Sequence, residues 1–318
     1  MNWQPTASTE NLKARAAKLR EIREFFHARD VYEVETPIMA SAPVTDPFLT
    51  ALETKCSLYP AKTFYLQTSP EYAMKRLLAA GSGSIYSLGK AFRDDECGSL
   101  HNPEFTLLEW YRIGFDDSQL IDEIDALLQT ILKTKPLQRL SYKEAFEHYL
   151  GINPHKADMR LLQAICLDRF GEINGLVPNK DTYLQLLMSD VIEPQLGQEA
   201  PTVITDFPVS QAALARTRTV DGLEVAARFE VYVKGIELAN GYHELKDPAI
   251  QKQRFAADLS KRVEEGKPQV PVDEKLLAAL ESGFPDCAGV ALGVDRLVML
   301  ALKADRIEDI LSFNLKNI

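Results

Sequence analysis

The sequence has little cysteine: four residues in 318, Cys56, Cys97, Cys166 and Cys287, far apart and with no C-x-x-C pair. Such spacing excludes a disulfide framework and a cysteine zinc site, and it fits a reducing compartment. Long apolar runs are missing as well. None approaches the ~20 residues of a membrane helix, and the opening MNWQPTASTENLKARAAK holds no apolar signal core. Positive charge is in deficit, with 36 Lys and Arg against 46 Asp and Glu and a formal charge of −10. The surface as a whole therefore repels nucleic acid, although a local basic patch stays open. There is no internal repeat and no low-complexity linker. What remains is a cytoplasmic globular chain without a membrane partner, and its 46% hydrophobic and 26% charged residues are ordinary for one.

What is present divides into recognisable elements. Leu12, Ala16, Leu19, Ile22 and Phe26 recur at helical spacing, predicting an amphipathic helix over 10–29. VYEVETPI (31–38) alternates like a strand and is closed by Pro37; FYLQTS (64–69) is a second strand. Ser69-Pro70-Glu71 reads as a helix start, with Ser69 as N-cap and Pro70 at the first helical position, and Gly81 as its end. Strands follow at 85–93 and 104–112, then a helix over 118–133. Ser141 with Glu144 forms a capping box ahead of a helix ending at Gly151. Two or three further helices fill 155–200, making 116–200 a mostly helical insertion. TVITDF (202–207) is a strand, and RFEVYVKGIEL (228–238) is a hairpin turning at Lys234-Gly235. A charged helix over 248–265 precedes GVALGVDRLVMLAL (289–302), a strand passing into an apolar helix. The pattern is α+β with mainly antiparallel strands.

Side-chain direction marks where chemistry could sit. On 104–112, Phe105, Leu107, Glu109 and Tyr111 share one face, while Leu108 and Trp110 form an apolar, packed one. A carboxylate and a phenol beside an aromatic ring suit a cation and a planar group. Arg93 shares a face with Ser87, Gly89 and Ala91, small neighbours that leave a guanidinium room to grip phosphate or carboxylate. Taken alone, the same residues equally describe a half-exposed strand. In the hairpin, Tyr232 pairs with Glu237, and Glu230 projects diagonally from the same face. Two such carboxylates can hold Mg²⁺ while the ion also binds phosphates, and they also read as exposed acids on an edge. Glu244 adds a third acid nearby. Gly289, Gly293 and Arg296 suit close approach to an anion, or simply a tight strand-to-helix turn.

Together and in order, these segments resemble the three signature motifs of class II aminoacyl-tRNA synthetases. VETPI with Pro37 matches the first, FRDDECGSLHNPEFTLLEWYR (92–112) the second and GVALGVDRL the third. HNPEF, IELANGYHEL and the TSPE helix start resemble the lysyl-tRNA synthetase subgroup. The resemblance covers nearly the whole chain and implies a single catalytic domain over 1–318, an antiparallel sheet flanked by helices, and a homodimer through the first motif. It implies that Arg93 holds the α-phosphate and the amino-acid carboxylate, that Phe105 stacks on adenine near His101 and Asn102, and that Arg296 neutralises the far phosphate. Asp94, Asp95, Leu238 and Gly293 fall among the implied ATP contacts. Glu230 and Glu237 are the implied Mg²⁺ ligands, with Glu237 also touching ATP. Glu109, Tyr111 and Glu244 are implied to receive a lysine-like distal ammonium, and Ser69 and Glu71 to face its other amine. Pro70, Asn240 and Ala291 complete the implied substrate contacts.

The departures narrow the resemblance. With Pro37 so early, there is no room ahead of it for an anticodon-reading domain, and the acidic charge disfavours tRNA. This shorter form resembles the stand-alone paralogues that activate (R)-β-lysine with ATP and attach it to elongation factor P. Ala291 stands where lysyl-tRNA synthetases usually carry glycine, and its methyl would favour a β-amino isomer. Asp95, one methylene shorter than the family's usual glutamate, leaves open whether it or Glu96 fills that role. Two other readings stay open: a lysine-specific ligase acting on tRNA or another acceptor, and a catalytically silent amino-acid sensor. Lys252, Arg254, Lys261 and Arg262 are candidates for touching an acceptor protein, though a solvated helix shows the same pattern.

Overall fold

A computed structural model describes residues 3–94, 97–172 and 178–318. The chain separates into two compact units, Met1–Asp116 with Leu245–Ile318, and Asp117–Glu244.

In the first stretch, α1 (Thr9–His27) starts at Ser8, whose hydroxyl accepts from the Asn11 N–H at 3.1 Å, and it buries Ile22, Phe25 and Phe26. The strand expected over 31–38 is only two residues long, β1 (Tyr32–Glu33), extended by one bond from the Val34 N–H to the Tyr86 carbonyl. Pro37 has no N–H to continue a ladder. Strands β2 (Met39–Ala40), β3 (Glu53–Lys55) and β4 (Thr63–Leu66) form a small antiparallel sheet in the order β2-β4-β3. Helix α2 (Glu71–Ala79) begins one residue later than expected, with Pro70 as its cap residue. Ser69 still caps by side chain, accepting from the Glu71 N–H at 3.0 Å. Long strands β5 (Ile85–Phe92) and β6 (Glu104–Ile113) follow.

The second unit opens with α3 (Asp117–Leu132) and β7 (Gln138–Ser141). Helix α4 (Tyr142–Leu150) has the full Ser141–Glu144 capping box and ends at Gly151 in the left-handed region, φ 68°. Helices α5 (Met159–Phe170) and α6 (Lys180–Leu187) follow, the latter running into a π-helical turn, Met188–Ile192. Strands β8 (Thr202–Pro208), β9 (Thr217–Val220), β10 (Leu223–Val233) and β11 (Ile236–His243) complete it. They order as β11-β10-β8-β7, with β9 also on β10, all antiparallel except β7 with β8. Tyr142, Phe146, Leu184, Ile192 and Phe207 are among the residues packed between helices and sheet. Gly241 lies opposite Phe229, whose ring takes the space a Cβ would need.

The chain then returns to the first unit through α7 (Pro248–Glu264), α8 (Glu274–Glu281), β12 (Cys287–Gly293) and α9 (Val294–Leu302). The first unit's sheet runs β1-β5-β6-β12, parallel at β1–β5 and antiparallel beyond. Both faces of β6 are buried, Leu108 and Trp110 on one side, Glu109 and Tyr111 on the other. The polar face is therefore an interior site and not the half-exposed surface that its composition also allowed. Arg262 of α7 is not available to a partner either: it is buried, donating to the Asp46 carbonyl at 2.8 Å and to the Pro268 carbonyl at 3.0 Å.

One buried acid joins three of these elements. β12 stops pairing at Gly293 opposite Leu107, so the next free N–H on β6, that of Thr106, has no strand to meet. The Asp295 carboxylate, in the first turn of α9, accepts that N–H at 2.9 Å. Arg15 of α1 closes the group, 2.7 Å from Asp295 Oδ1 and donating to Thr106 Oγ1 at 2.9 Å. Removing one partner of a buried pair typically costs about 3–5 kcal/mol, because the other charge is left uncompensated. Asp295→Ala is expected to lower the unfolding free energy by about that amount, and Asp295→Asn by less, since its amide oxygen still accepts from Thr106. Urea denaturation of the three proteins side by side checks the ranking.

Candidate active site

In the first unit the polar face of β6 lies in a trough of small residues. Directly opposed residues send their side chains to the same face of a sheet. On the β5 side Phe105, Leu107 and Glu109 face Ala91, Gly89 and Ser87. On the β12 side Leu107, Glu109 and Tyr111 face Gly293, Ala291 and Gly289. Six small residues therefore flank four large ones, and a Cβ built on Gly89 would meet nothing within 4 Å. Ala291 places its methyl beside Glu109. Just beyond β5, Arg93 anchors its backbone N–H on the Pro103 carbonyl at 2.9 Å and carries its guanidinium 5.1 Å from the Phe105 ring centroid.

Near the start of α9, Arg296 donates to the Leu100 carbonyl at 3.4 Å, and its Nη2 lies 2.5 Å from His101 Nε2. A guanidinium only donates, so that ring nitrogen accepts and the imidazole proton sits on Nδ1. Asn102 uses both ends of its amide within the protein, donating to the Glu104 carbonyl at 2.7 Å and accepting from the Leu315 N–H at 3.0 Å. Asp94 is exposed, its N–H on the Thr50 carbonyl at 2.9 Å. Asp95 and Glu96 lie outside the described residues.

Glu109 is the most perturbed acid of the trough. It is 2% exposed, and its two oxygens accept from the Ser69 hydroxyl at 2.6 Å and the Tyr111 hydroxyl at 2.7 Å. Burial and the neighbouring Glu71 carboxylate push its pKa up to about 8, against the lowering effect of the two hydroxyls and of Lys75. The same Ser69 hydroxyl that donates to the Glu109 carboxylate accepts from the Glu71 backbone N–H. Glu71 has a resident cation: Lys75, one turn along α2, sits 2.7 Å from its Oε1 with a side chain only 3% exposed. In the sequence, only the i,i+4 spacing of Lys75 from Glu71 hints at this pair.

In the second unit the hairpin turns at Lys234 and Gly235, both with positive φ (56° and 74°), the geometry that two-residue turns of this twist require. Tyr232 pairs with Glu237, but Val231 then pairs with Ala239 and Glu230 with Asn240. Leu238 is the extra residue of a bulge, and it is buried. The bulge brings Glu237 and Asn240, three positions apart, onto the face that carries Glu230. Glu230 accepts from Tyr232 at 2.5 Å, from Arg228 at 2.5 Å and from Asn240 at 3.3 Å. Arg228 also donates to the Gln211 carbonyl at 2.7 Å and lies 4.8 Å from the Phe207 ring centroid. Glu230 and Glu237 line one open cavity of about 370 Å³ with Arg228, Tyr142, Ser189 and Glu193. Among the described residues no group of three or more His, Cys, Asp or Glu could hold a metal by itself. Two carboxylates on one cavity wall are the donor set that fits Mg²⁺ when phosphates complete its shell. Glu244 is buried at the end of this unit, its carbonyl accepting from Arg216 at 3.0 Å.

Comparison with known proteins covers the same length. Residues 1–317 match the family model for class II tRNA synthetases (D, K and N). The elongation factor P–(R)-β-lysine ligase of Vibrio cholerae is 54% identical over 316 residues, spanning 98% of this chain and 97% of its own. The proteins of the same name from Salmonella arizonae and Vibrio parahaemolyticus are 52% and 50% identical over 315 and 317 residues, again spanning 98% of this chain and 97% and 98% of theirs.

The Glu109 environment has a stability signature. An unfolded glutamate ionises near 4.5, whereas Glu109 does so near 8. Between those values the unfolded chain binds fewer protons, so stability is lost as pH rises through the window and stays lost above it. Glu109→Gln is therefore expected to stabilise the protein by on the order of 2 kcal/mol at pH 8 and by almost nothing near pH 4.5. Thermal melts of both proteins across that range check it, a constant offset at every pH being the contrary result.

Proposed function

The chain belongs to the class II tRNA synthetases, and from that premise we propose that it is an ATP-dependent ligase that activates (R)-β-lysine as an adenylate and transfers it to a lysine side chain of elongation factor P. The observation that carries this reading is the trough on β6, which has a guanidinium beside an aromatic ring toward one end and a buried, protonatable acid cluster toward the other. It suits a substrate with a carboxylate at one end and ammonium groups beyond it. The shared name of relatives matched over nearly their whole length supplies the isomer and the acceptor.

In the first step a substrate carboxylate oxygen attacks the α-phosphorus of ATP. The bond from that phosphorus to the bridging oxygen of the β-phosphate breaks, and pyrophosphate leaves. Arg93 holds the carboxylate against the α-phosphate, Phe105 stacks on adenine with His101 and Asn102 beside it, and Arg296 neutralises the terminal phosphate. Asp94, Asp95, Leu238 and Gly293 complete the nucleotide contacts. Glu230 and Glu237 are the residues for Mg²⁺, which supplies charge neutralisation on the phosphates when bound. No general base is needed, since the rate comes from alignment and from fixed charge at the developing anion. In the second step the acceptor amine attacks the adenylate carbonyl, an amide forms, AMP leaves and the amine proton passes to solvent. Glu109, Tyr111 and Glu244 take the distal ammonium, Ser69, Pro70 and Glu71 the nearer amine, and Asn240 and Ala291 shape the remainder.

The net charge of −10 disfavours a tRNA acceptor. Exposed Tyr32, Ile38 and Met39, in the segment after α1, support a homodimer through that segment. No helix among the described residues is long and apolar enough to cross a membrane, in keeping with a cytoplasmic enzyme.

Incubation with ATP, (R)-β-lysine and either acceptor is expected to label elongation factor P and leave tRNA unlabelled; label on tRNA alone would reject the assignment. The Ala291 methyl beside Glu109 gives a second expectation. A methylene-sized change is worth ~1–3 kcal/mol of discrimination, so Ala291→Gly should shift the ratio of pyrophosphate exchange toward α-lysine by roughly tenfold or more. An unchanged ratio removes Ala291 from the specificity argument.

A further inference from the structure

The proposed function leaves Lys75 unexplained. Its ammonium is buried 2.7 Å from Glu71 Oε1, on the acid expected to face a substrate amine. A glutamate four residues ahead of a lysine supports a helix at the surface, where both ends stay hydrated. This pair is not at the surface, and burying an ammonium carries a desolvation penalty that an uncharged side chain would not. The charge is therefore one that the packing of α2 does not require.

Its neighbours indicate its use. The Ser69 hydroxyl joins the Glu109 carboxylate to the Glu71 backbone N–H, and the Glu71 carboxylate disfavours charge on Glu109. The groups facing Glu109 are Ser69 ahead of α2, Glu71 and Lys75 on α2, and Tyr111 on β6. Its partners across the sheet, Ser87 on β5 and Ala291 on β12, bring no charge. Lys75 is the cation of this group, and it works on both acids. It holds one oxygen of Glu71 in place. It also offsets the charge of Glu71 where Glu109 must become a carboxylate to meet an ammonium.

We propose that Lys75 is a positioning residue of the amine pocket: it fixes the Glu71 carboxylate for one substrate amine and supplies the positive charge that lets Glu109 meet the second as a carboxylate. The inference rests on the reading that Glu71 and Glu109 receive the two amines of (R)-β-lysine. Before substrate binds, Glu109 holds its proton below about pH 8. Arrival of the ammonium then releases that proton to solvent, and apparent affinity falls about tenfold for each pH unit below the break.

The test is the pH dependence of kcat/KM for (R)-β-lysine in ATP–pyrophosphate exchange, measured on wild type, Lys75→Met and Lys75→Arg. Wild type should rise about tenfold per unit up to a break near pH 8. Lys75→Met should move that break upward by about one unit or more, with the loss in KM and little change in kcat. Lys75→Arg keeps the charge on a differently shaped head, so its break should stay near the wild-type value while KM rises because Glu71 is displaced. A purely structural lysine would lower kcat/KM equally at every pH. Calorimetric proton counts at pH 8.5, in buffers of different ionisation enthalpy, read the same event without turnover: binding of (R)-β-lysine should release a minority of one proton in wild type and the greater part of one in Lys75→Met. An unmoved break together with an unchanged proton count overturns the charge role. An unchanged KM in Lys75→Arg overturns the positioning role, whether or not Lys75→Met folds. Wild type inactive with (R)-β-lysine would sink the function itself; an active wild type with an unmoved break and an unchanged proton count sinks only the charge role of Lys75.

Discussion

The Asp295 carboxylate does at the end of a strand what the strand itself no longer can. β12 must stop at Gly293 so that α9 can begin and present Arg296, yet stopping there leaves the Thr106 N–H of β6 inside the protein without a ladder partner. A buried donor left unsatisfied is costly. Asp295 accepts it, and Arg15 from α1 balances the charge that the acid brings inside. Phe105 is adjacent to Thr106 and Arg296 is adjacent to Asp295, so one hydrogen bond sets both the adenine-facing ring and the phosphate-facing arginine of the proposed site. Helix α1 is thereby part of the site's support without carrying any of its chemistry.

The interior of the trough follows a different rule. Its acids are buried beyond what stability favours, and Glu109 is held off its ordinary pKa by burial and by Glu71. Such a cluster destabilises the empty protein at neutral pH and becomes favourable only when cations enter. The flanking glycines, alanines and serine fit the same logic: they omit side chains that would fill the trough and bury apolar area, and so leave room for a ligand.

Much of this could be read from the sequence, and the unread parts share a cause. Periodicity and end signals gave α1, α3, the Ser141–Glu144 capping box, the two long strands and the turn at Lys234-Gly235, because each depends on neighbours within a few positions. The face shared by Phe105, Leu107, Glu109 and Tyr111 follows from strand geometry alone. What escaped depends on partners distant in sequence. The bulge at Leu238, which sets Asn240 across from Glu230, has no local marker, since Leu238 is an ordinary apolar strand residue. Arg262 reads as one more charge on a basic helix until the loop carrying Asp46 closes over it. Lys75 reads as a solvated helix lysine until the fold buries it. Burial, more than secondary structure, is what a single sequence leaves undetermined.

The two carboxylate groups show how environment divides labour between like residues. Glu109 takes its hydrogen bonds from two neutral hydroxyls, and the nearby cation, Lys75, is bonded to a different acid. It can hold a proton while it waits and release it to solvent when an ammonium arrives, a soft exchange of one monovalent partner for another. Glu230 is bonded directly to Arg228 on its own strand, two residues away, and to the Tyr232 hydroxyl two residues the other way. That arrangement fixes the carboxylate's orientation from both sides and suits a divalent ion that needs oxygen donors already in place. The proposed ammonium pocket and the proposed magnesium wall can thus both be built from glutamate, because neutral donors leave charge to be decided by the ligand while a built-in cation decides geometry in advance.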